Sequence, residues 1–399
     1  MSWLTRQVRS ANRGKLGAIG IEFARDSMHM VQLNKSSNDD ISAQASLSIE
    51  YPESFENYLY NPAELKPLLK SQLKETNFRG KKIVTAMPGS EISIFSLNYE
   101  IKPSITDDAA IAHALKDRID GDLSSYVVDK IPVRRREDEN SALAIVALAE
   151  KRKVIDYLEC LRKSGFIVDA LEIGPSAIQR LISTLHSGKE YESVLTINFG
   201  GDKSYLSIIS GRRLLFDEQL DFGEDVLLDA LSQLLDLDRD QIRFQIEQVG
   251  LASSSTSSIA GSDISQTFAH IVKRSFGGMV EHIKRALLYS VAESRGKPVS
   301  KIYMVGSIAR WRGADKLLEN LLGMPVSIIP DPLALFDQPP AIVDKVDKVD
   351  RVDKVDKVDK VDLDSVELNK FNHASVNAQR SPEQAVATGL ALRGLSNNG

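Results

Sequence analysis

The chain has 399 residues, of which 42% are hydrophobic and 26% are charged, and its formal net charge is -5. A single hydrophobic core rarely extends over this length, so we expect two or three domains. The acidic balance disfavours non-specific nucleic-acid binding, and no nucleic-acid partner is expected. Cys160 is the only cysteine, which excludes an internal disulfide and suits a reducing compartment such as the cytoplasm. No stretch holds the roughly 20 apolar residues of a transmembrane helix.

The first 15 residues predict a basic tail or a short amphipathic helix. In a helix the arginines Arg6, Arg9 and Arg13 would share one face, and the opposite face would consist of Trp3, Leu4, Val8 and Ala11. Such a helix can lie on an anionic membrane surface, so peripheral membrane association is one expectation and a frayed tail is the alternative. The segment lacks the apolar region of a secretion signal.

The first half of the chain predicts a sheet interrupted by a smaller unit. Strands are expected on both sides of a turn in residues 16–33, at 41–50 and at 83–87, with a helix over 61–76. A strand at 92–99, a helix over 106–119 with Thr106 as its N-cap, and a strand pair at 127–134 and 142–149 follow. An amphipathic helix over 151–165 closes at Gly165.

The second half repeats the pattern of strand, turn and strand. Strands are predicted at 167–172, 194–199, 204–209, 214–221, 301–305 and 326–329, with a turn at Gly211. Helices are predicted over 175–185, 224–235, 239–248, 262–295, 314–321 and 382–395, with a polar run at 253–258. Val-Asp pairs at a period of three, beginning at Val343, predict a disordered or transiently helical insertion over 337–379.

Two turns, one in each half, have the size and composition of a phosphate-binding loop. Phe199-Gly200-Gly201-Asp202 offers backbone N–H groups that a phosphate could approach closely. Its counterpart, Ala24-Arg25-Asp26-Ser27, offers a hydroxyl and no glycine. Glu22 stands at the end of the strand before this turn, where a carboxylate could hold Mg2+. Asn198 occupies the equivalent position and offers only a neutral oxygen.

A third candidate element is the glycine turn at Gly306 and Ser307, where the ribose and adenine of a nucleotide could rest. One glycine is a weak signal, and an ordinary hairpin is the alternative interpretation of each of the other two turns. Motifs of zinc proteases, serine hydrolases, thiol redox proteins and Walker A nucleotide-binding proteins are missing from the sequence. Metalloenzyme and serine-hydrolase functions are therefore not expected.

In the order of these elements and in several short stretches, the chain resembles the PilM family of type IV pilus assembly proteins, or its MSHA pilus equivalent. This family belongs to the actin-like ATPase superfamily, with the division protein FtsA. The stretches are Ala86-Met87-Pro88, ALAEK at 147–151, LRKSGFIVDALEIG at 161–174, residues 197–201, LLFDEQLDFGEDVL at 214–227, IYMVGSIARWRG at 302–313, LGMPV at 322–326 and AVATGLALRG at 385–394.

The resemblance implies an α/β fold, namely a duplicated actin-like (ribonuclease H-like) two-lobe fold with an inserted small α+β subdomain. It places the first lobe at 16–91 and 150–190, the inserted subdomain at 92–149 and the second lobe at 191–336, with a C-terminal helix at 380–399 returning to the core. Residues 1–15 and 337–379 lie outside this framework. ATP with Mg2+ would then contact Glu22, Ser27, Asn198, Gly200, Gly201, Asp202, Gly223, Gly306 and Ser307.

The resemblance also implies a cytoplasmic scaffold, peripheral to the inner membrane, that binds the cytoplasmic N-terminal tail of a PilN-like membrane protein and other pilus assembly components. Its peptide groove would lie between the first lobe and the inserted subdomain. No catalytic residues are expected, and at most weak ATPase activity. The alternative is an enzyme of the same superfamily fold, a sugar-kinase-like phosphotransferase, which would need a catalytic base and intact metal carboxylates.

Departures from the family pattern predict weak, altered or lost nucleotide binding. Glu22 and Asn198 stand where the family usually has Asp, and His29 stands where it has a basic residue. Ile308 replaces a glycine of the adenosine turn. A β-branched residue there predicts backbone strain and a side chain that occupies the space of the base.

Overall fold

The computed structural model describes residues 14–116, 118–119, 122–136, 140–187, 192–251, 270–293, 298–337 and 380–396. The strands are β1 (Lys15–Leu16), β2 (Ile19–Phe23), β3 (Ser27–Lys35), β4 (Ile41–Glu50), β5 (Lys82–Ala86), β6 (Ser93–Glu100), β7 (Tyr126–Arg136), β8 (Ser141–Glu150), β9 (Ile167–Glu172), β10 (Ser193–Phe199), β11 (Ser204–Ser210), β12 (Arg213–Leu220), β13 (Lys301–Gly306) and β14 (Val326–Ile328).

The helices surround these strands. They are α1 (Glu56–Leu59), α2 (Pro62–Gln72), α3 (Asp107–Leu115), α4 (Lys151–Lys163), α5 (Gly174–Leu185), α6 (Glu224–Leu235), α7 (Arg239–Val249), α8 (Gly277–Glu293), α9 (Ala314–Leu322) and α10 (Ala385–Ser396). Single 3-10 turns include Leu73–Glu75, Ile308–Arg310 and Pro382–Gln384.

Two sheets share one topology, which shows that the two halves of the chain are related. The first sheet runs β4-β3-β2-β5-β9, with β1 also on β3, and the second runs β12-β11-β10-β13-β14. In each sheet three consecutive antiparallel strands come first, namely β2, β3 and β4 or β10, β11 and β12. Two later strands, β5 and β9 or β13 and β14, run parallel to the first of these three. The predicted duplication of strand, turn and strand is therefore confirmed.

A third sheet, β6-β8-β7, is antiparallel and belongs to the chain segment between β5 and β9. Its edge strands also contact the second lobe, since the Arg213 guanidinium donates to the carbonyl oxygen of Val133 at 2.5 Å. Gln219 donates to the carbonyl oxygen of Gly89 at 3.2 Å. The second lobe thus contacts β7 and the turn that precedes β6. The exact limits of the lobes and of the inserted subdomain stay predictions.

Local sequence signals set several helix ends. The Thr106 hydroxyl accepts the backbone N–H of Ala109, as expected of an N-cap. Asn61 caps α2 in the same way, ahead of Pro62 in the first turn. The α-helices predicted to end at Thr76 and Ile119 instead end at Gln72 and Leu115. Helix ends fray because their last carbonyl groups have no partner within the helix.

The helix predicted over 262–295 is interrupted, because residues 270–275 are helical and a turn at Phe276 separates them from α8. Phe276 is buried among Phe199 and Phe222, so aromatic packing fixes this turn. The beginning of that helix, the polar run at 253–258, the N-terminal tail and the period-three insertion lie outside the described residues.

One apolar cluster joins the three sheets and the last helix. Its members come from both lobes, the inserted sheet, α5 and α10, and include Val84, Ile94, Val133, Ile178, Val194, Tyr303 and Val386. Helix α10 approaches α5 very closely, since a Cβ at Gly389 would lie 2.0 Å from the carbonyl oxygen of Ala177. Small residues in this last helix permit that contact. The central cluster fixes the lobes around a cleft at the ends of β2 and β10.

Candidate functional site

The two turns predicted from the sequence lie at the same cleft. In the first, the Ala24 N–H donates to the carbonyl oxygen of Ser27 at 3.0 Å, and in the second the Gly200 N–H donates to that of Lys203 at 2.9 Å. Each turn therefore closes in the same way between an antiparallel strand pair. A cavity of about 100 Å³ lies between them and is lined from both turns and from Gly306 and Ser307.

Glycines hold the second turn by close backbone packing. A Cβ at Gly223 would lie 2.2 Å from the carbonyl oxygen of Gly201, and one at Gly306 would lie 2.0 Å from that of Phe199. Gly306 also has a φ of 85°, a backbone conformation that a side chain makes costly. Ser307 donates its backbone N–H to Phe199 at 2.9 Å and its hydroxyl to Gly200 at 3.0 Å. Three segments are thereby joined into one rigid surface.

Arg25 of the first turn covers this surface. A Cβ at Gly201 would lie 2.8 Å from Cγ of Arg25 and 2.9 Å from Oδ2 of Asp225. The Arg25 guanidinium pairs with Glu56 at 2.7 Å. The cavity that remains between the turns is much smaller than the roughly 300–1,000 Å³ of typical small-molecule sites. A nucleotide phosphate would have to displace Arg25 before it could reach the backbone of Gly201.

A wider cleft of about 1370 Å³ opens beside this cavity, between the first turn and α7. Most of its arginines already have acidic partners, whereas Arg312 donates to the carbonyl oxygen of Gln248 at 2.7 Å. Arg239 pairs with Asp225 at 2.9 Å and with Asp229 at 2.5 Å. Arg380 pairs with Asp331 at 3.2 Å. The cleft is large enough for a nucleotide, but a phosphate would compete there with carboxylates that are already in place.

Glu22 is the predicted magnesium ligand, and its surroundings do not suit that role. Its Oε2 is shielded from solvent and has no hydrogen-bond partner among the described residues. Burial first, and then the neighbouring Glu383, raise the pKa of Glu22 to about 8, although a backbone hydrogen bond from Ala387 lowers it in part. A carboxyl group with this pKa is largely protonated at neutral pH. Mg2+ would have to displace this proton before the Glu22 carboxylate could bind it.

Asp26, Asp202 and Glu383 also line the small cavity. No group of three or more His, Cys, Asp or Glu side chains within the described ranges could hold a metal ion. Asn198, which lines the same cavity, supplies only an amide. The residues present therefore do not fit an Mg2+-nucleotide bound through Glu22.

The side chain of His29, beside the first turn, is also uncharged. It is 2% exposed, and its ring nitrogens contact the hydroxyls of Ser27 at 3.0 Å and Ser48 at 2.9 Å. Burial, followed by the nearby Arg310, lowers the pKa of His29 to about 4. The imidazole is neutral at pH 7 and engages Ser27, so neither residue is poised to bind a phosphate.

An ion cluster that the sequence did not reveal links the glycine turn to α6 and to the segment before α10. Arg310 contacts the fully buried Glu224 at 2.5 Å and Glu383 at 3.0 Å. Burial raises the pKa of Glu224 to about 6, although Arg310 opposes that shift. Glu224 and Glu383 are far from Arg310 in sequence, and no local pattern announces their meeting. Arg310 thus connects the second lobe to the segment that precedes α10.

Ile308 corrects one expectation. The structure places Ile308 in a 3-10 turn without a positive φ, and its side chain is fully buried in the core of the second lobe. The left-handed backbone conformation belongs to Gly306 instead. The predicted strain and the predicted blockage of the base site are therefore wrong, because the chain turns two residues earlier.

The candidate nucleotide residues do assemble. Eight of them line the small cavity, namely Glu22, Ser27, Asn198, Gly200, Gly201, Asp202, Gly306 and Ser307, and Gly223 lies directly behind Gly201. Their positions agree with a nucleotide cleft in outline. Nucleotide binding by these residues stays a prediction. Arg25 lies against Gly201, where a phosphate would bind, and the side chains of His29 and Asn198 carry no charge.

The sequence matches the family model of the type IV pilus assembly protein PilM over residues 20–347. The chain belongs to the PilM family. No curated protein matches it significantly. The fold is similar to a solved structure of a PilM-PilN type IV pilus biogenesis complex, with 18% identity and a TM-score of 0.67. That match covers 95% of this chain and 98% of the other.

More distant solved structures are similar as well. One is the ethanolamine utilization protein EutJ from Carboxydothermus hydrogenoformans, with 11% identity, a TM-score of 0.45, and coverage of 81% of this chain and 87% of that one. Another is MreB 5 of Spiroplasma citri bound to AMPPNP, with 12% identity, a TM-score of 0.44, and coverage of 80% and 92%.

The PilM match agrees with the duplicated sheet topology, so the predicted actin-like two-lobe α/β fold is confirmed. Family membership also establishes the role in pilus assembly at the level of the family. Within the part of the chain that the structure describes, no helix has the length and apolar character to span a membrane.

Proposed function

We propose that this PilM-family chain is an actin-like scaffold of type IV or MSHA-like pilus biogenesis. It binds the N-terminal tail of a PilN-like inner-membrane protein and makes contact with other pilus assembly components. The observation that carries this proposal is the family match over residues 20–347, together with a fold similar to that of PilM in complex with PilN. Through the bound tail the scaffold is held on the cytoplasmic side of the inner membrane, peripheral to it.

The tail would bind where the inserted sheet meets the first lobe. Strand β7 is an edge of that sheet, and an extended peptide can add to such an edge through backbone hydrogen bonds. Val127 and Val128 near the start of β7 are 42% and 36% exposed. Tyr126 pairs with Glu150, which immediately precedes α4, where Ile155 is 49% exposed. Apolar surface is thus concentrated at this junction, as a peptide site requires.

Nucleotide binding in this scaffold is degenerate. The small cavity, the position of Arg25 over Gly201 and the raised pKa of Glu22 support this proposal. ATP, if bound, would occupy the wider cleft weakly and without magnesium held by Glu22. The protein then acts by binding partner proteins, and its actin-like fold positions the surfaces that bind them.

The phosphotransferase alternative is not favoured. Such an enzyme needs an ionised base beside the substrate and carboxylates for the metal. In the cleft described here Glu22 is largely protonated, His29 is neutral, and Asn198 carries no charge. The family match also points to pilus assembly and away from sugar metabolism.

A peptide titration tests the proposed function. A labelled synthetic peptide with the cytoplasmic N-terminal sequence of a PilN-like protein from the same organism is titrated with the protein, and fluorescence anisotropy reports binding. We expect saturable binding at micromolar concentrations, weakened at least roughly tenfold in Val127→Asp or Val128→Asp, because a charge in the buried contact costs a few kcal/mol.

Val226→Asp serves as the matched control, since Val226 is 40% exposed but lies on α6 of the second lobe. This variant should bind the peptide as the unmodified protein does. Absence of any binding would overturn the proposed function. Equal weakening by the substitution on α6 would place the groove elsewhere.

A further inference from the structure

Strand β4 is an outer edge of the first sheet. It pairs with β3 on one side, and the sheet ends there. Within the described part of the chain, the backbone of residues 42–49 makes no hydrogen bond outside the ladder with β3. The N–H and C=O groups that point away from β3 are therefore available to another strand.

The sequence of β4 carries none of the side chains that usually keep a sheet edge from pairing with another chain. Residues 41–49 read Ile-Ser-Ala-Gln-Ala-Ser-Leu-Ser-Ile, without a charged residue and without proline. Natural edge strands are commonly short, or carry lysine or proline, because an unprotected edge invites a further strand. At ten residues β4 is also a long strand. It has the properties of an edge that is covered in the working protein.

Other edges of the same protein show the protection that β4 lacks. The second half of β7 contains Lys130 and Pro132 and ends in three arginines. Arg213 and Gln219 of β12 donate to carbonyl oxygens of the inserted segment, so that edge has neighbours of its own. Strand β14 is only three residues long. The exposed edge of β4 is therefore not the general rule in this fold.

A bulge divides β4 and leaves its second half regular. Gln32 of β3 pairs with Ala45, but the next residue, Leu33, pairs with Ala43. Gln44 is thus the extra residue of the bulge. A bulge can itself protect an edge, but this one lies before residues 45–49, whose pairing with β3 is uninterrupted.

The two faces of this regular half differ in chemistry. Ile49 belongs to the apolar core of the first lobe, and the half-buried Leu47 packs against that core. Ser46 and Ser48 alternate with them and lie on the opposite face. The Ser48 hydroxyl contacts His29 at 2.9 Å. Both faces are uncharged, and each has its own character.

Residues 45–49 are complementary to themselves. In an antiparallel pair of two copies centred on Leu47, this residue faces Leu47 of the second copy. Ser46 then faces Ser48, and Ala45 faces Ile49, so apolar meets apolar on one face and hydroxyl meets hydroxyl on the other. Glu50, the first charged residue after the segment, comes closest to the neutral Gln44. Self-complementarity of this kind is what a two-fold symmetric interface requires.

We propose that β4 binds β4 of a second copy of this chain, so that two first-lobe sheets join edge to edge about a two-fold axis at Leu47. This pairing goes beyond the scaffold role proposed above and does not depend on binding of the PilN-like tail. Backbone hydrogen bonds between the strands supply the affinity, and the Leu47 side chains cover each other. Five residues on each copy are few beside the roughly 20–30 a side of a standard interface, so the dimer is weak and reversible.

Sedimentation equilibrium of the full chain tests the proposal. We expect a monomer–dimer equilibrium with a dissociation constant of roughly 10–100 μM, as suits a small interface. Ser46→Lys should weaken dimerisation at least roughly tenfold, because the pairing would bury a charge and bring two lysines close together. Ser46 is half-buried on the polar face, and circular dichroism checks that the variant is folded.

Ser42→Lys is the matched control. It adds the same charge to the same strand at an exposed position, but before the bulge and outside the self-complementary segment. This variant should dimerise as the unmodified protein does. Equal weakening by both substitutions, or no weakening by Ser46→Lys, would overturn the proposal. A monomer at every concentration would also overturn it, and would leave the edge open to a partner's strand or to another part of this chain.

A cysteine placed at the proposed two-fold axis tests the register of the pair. Leu47→Cys should form a disulfide between copies under mild oxidation, since residues directly opposite in antiparallel strands have Cα atoms roughly 4.5–5.5 Å apart. Ser42→Cys should not, because its two copies would lie roughly 30 Å apart along the strands. The native Cys160 is buried and does not compete. Cross-linking through Ser42→Cys and not through Leu47→Cys would contradict the pairing at Leu47.

Discussion

The two strand-turn-strand units have the same topology but differ in what holds their turns. The second turn is held by backbone packing, with Gly200, Gly223 and Gly306 each close to a carbonyl oxygen. The first turn is held by side chains, in which Arg25 pairs with Glu56 and Ser27 contacts His29. One unit therefore presents a glycine surface, and the other covers that surface with an arginine.

This difference separates two explanations of the glycines. A phosphate-binding loop needs glycine so that a ligand can approach its backbone. In this protein, packing between Gly223 and Gly201 and between Gly306 and Phe199 already requires glycine at these positions. The glycines are thus evidence for the fold whether or not a nucleotide binds. Evidence for or against nucleotide binding must therefore come from the charged groups, which differ between the two units.

The largest expected effect tests the glycine packing of the second unit. Gly306→Ala should lower the free energy of unfolding by roughly 3–5 kcal/mol, because it combines an unfavourable φ with a collision against Phe199. Urea unfolding followed by circular dichroism measures the change. Gly80→Ala is the matched control, since Gly80 has a φ of 84° and nothing within 4 Å of an added Cβ. It should lose only about 1 kcal/mol. Equal losses would contradict close packing at Gly306.

The ion cluster of Arg310, Glu224 and Glu383 gives the next effect. Arg310→Met should destabilise the protein by about 3 kcal/mol, because the buried Glu224 then loses its principal partner. Replacing both groups, in Arg310→Met/Glu224→Gln, should recover at least half of that loss, since the unpaired acid is removed. A double variant as unstable as the sum of the two single variants would show that the contact carries no coupling.

Glu22 provides a pH-dependent comparison, since its counterpart Asn198 is already an amide. Above pH 4.5 the unfolded chain releases the Glu22 proton, while the folded protein retains it up to about pH 8, so stability falls across that window. Glu22→Gln should therefore be more stable than the unmodified protein by roughly 1–3 kcal/mol at pH 8 and equal to it near pH 4.5. Thermal unfolding across this pH range measures the difference.

The exposed Glu64→Gln is the control for this pH effect and should show no such trend. A Glu22→Gln variant that is less stable at pH 8 would mean that the carboxylate is ionised and stabilising in the folded protein. That result would restore Glu22 as a candidate magnesium ligand.

The smallest effect concerns Arg25. Its pair with Glu56 is exposed, so Arg25→Ala should change stability by less than about 0.5 kcal/mol. The substitution should open the space above Gly201 and increase any affinity for ATP, measured by calorimetry. If Arg25→Ala instead abolished measurable ATP binding, Arg25 would be a phosphate ligand and not an obstacle.

Much of the fold could be predicted because it depends on local patterns. Alternating apolar residues placed β4 and β9 at their observed limits, and the hydroxyl of Thr106 marked the start of α3. The order of short stretches then indicated the family. The break at Phe276 was missed because it depends on aromatic residues that meet only in the folded second lobe.

The site could be located from the sequence, but its chemistry could not. The turns, strand ends and glycines are local features, and they do line one cavity. The neutral state of His29 depends on burial, and the contact of Arg310 with Glu383 joins distant segments. Ile308 was misjudged because the sequence does not show which residue of the turn takes the positive φ.

The most direct test of degenerate nucleotide binding is a calorimetric titration of the full chain with ATP in the presence of Mg2+ at neutral pH. We expect no saturable heat below roughly millimolar ligand, where the binding free energy would be only about -4 kcal/mol. The same result is expected whether or not Mg2+ is present. A saturating isotherm at micromolar ATP that requires Mg2+ would contradict this account and show that Glu22, Arg25 and the two turns rearrange into a working nucleotide site.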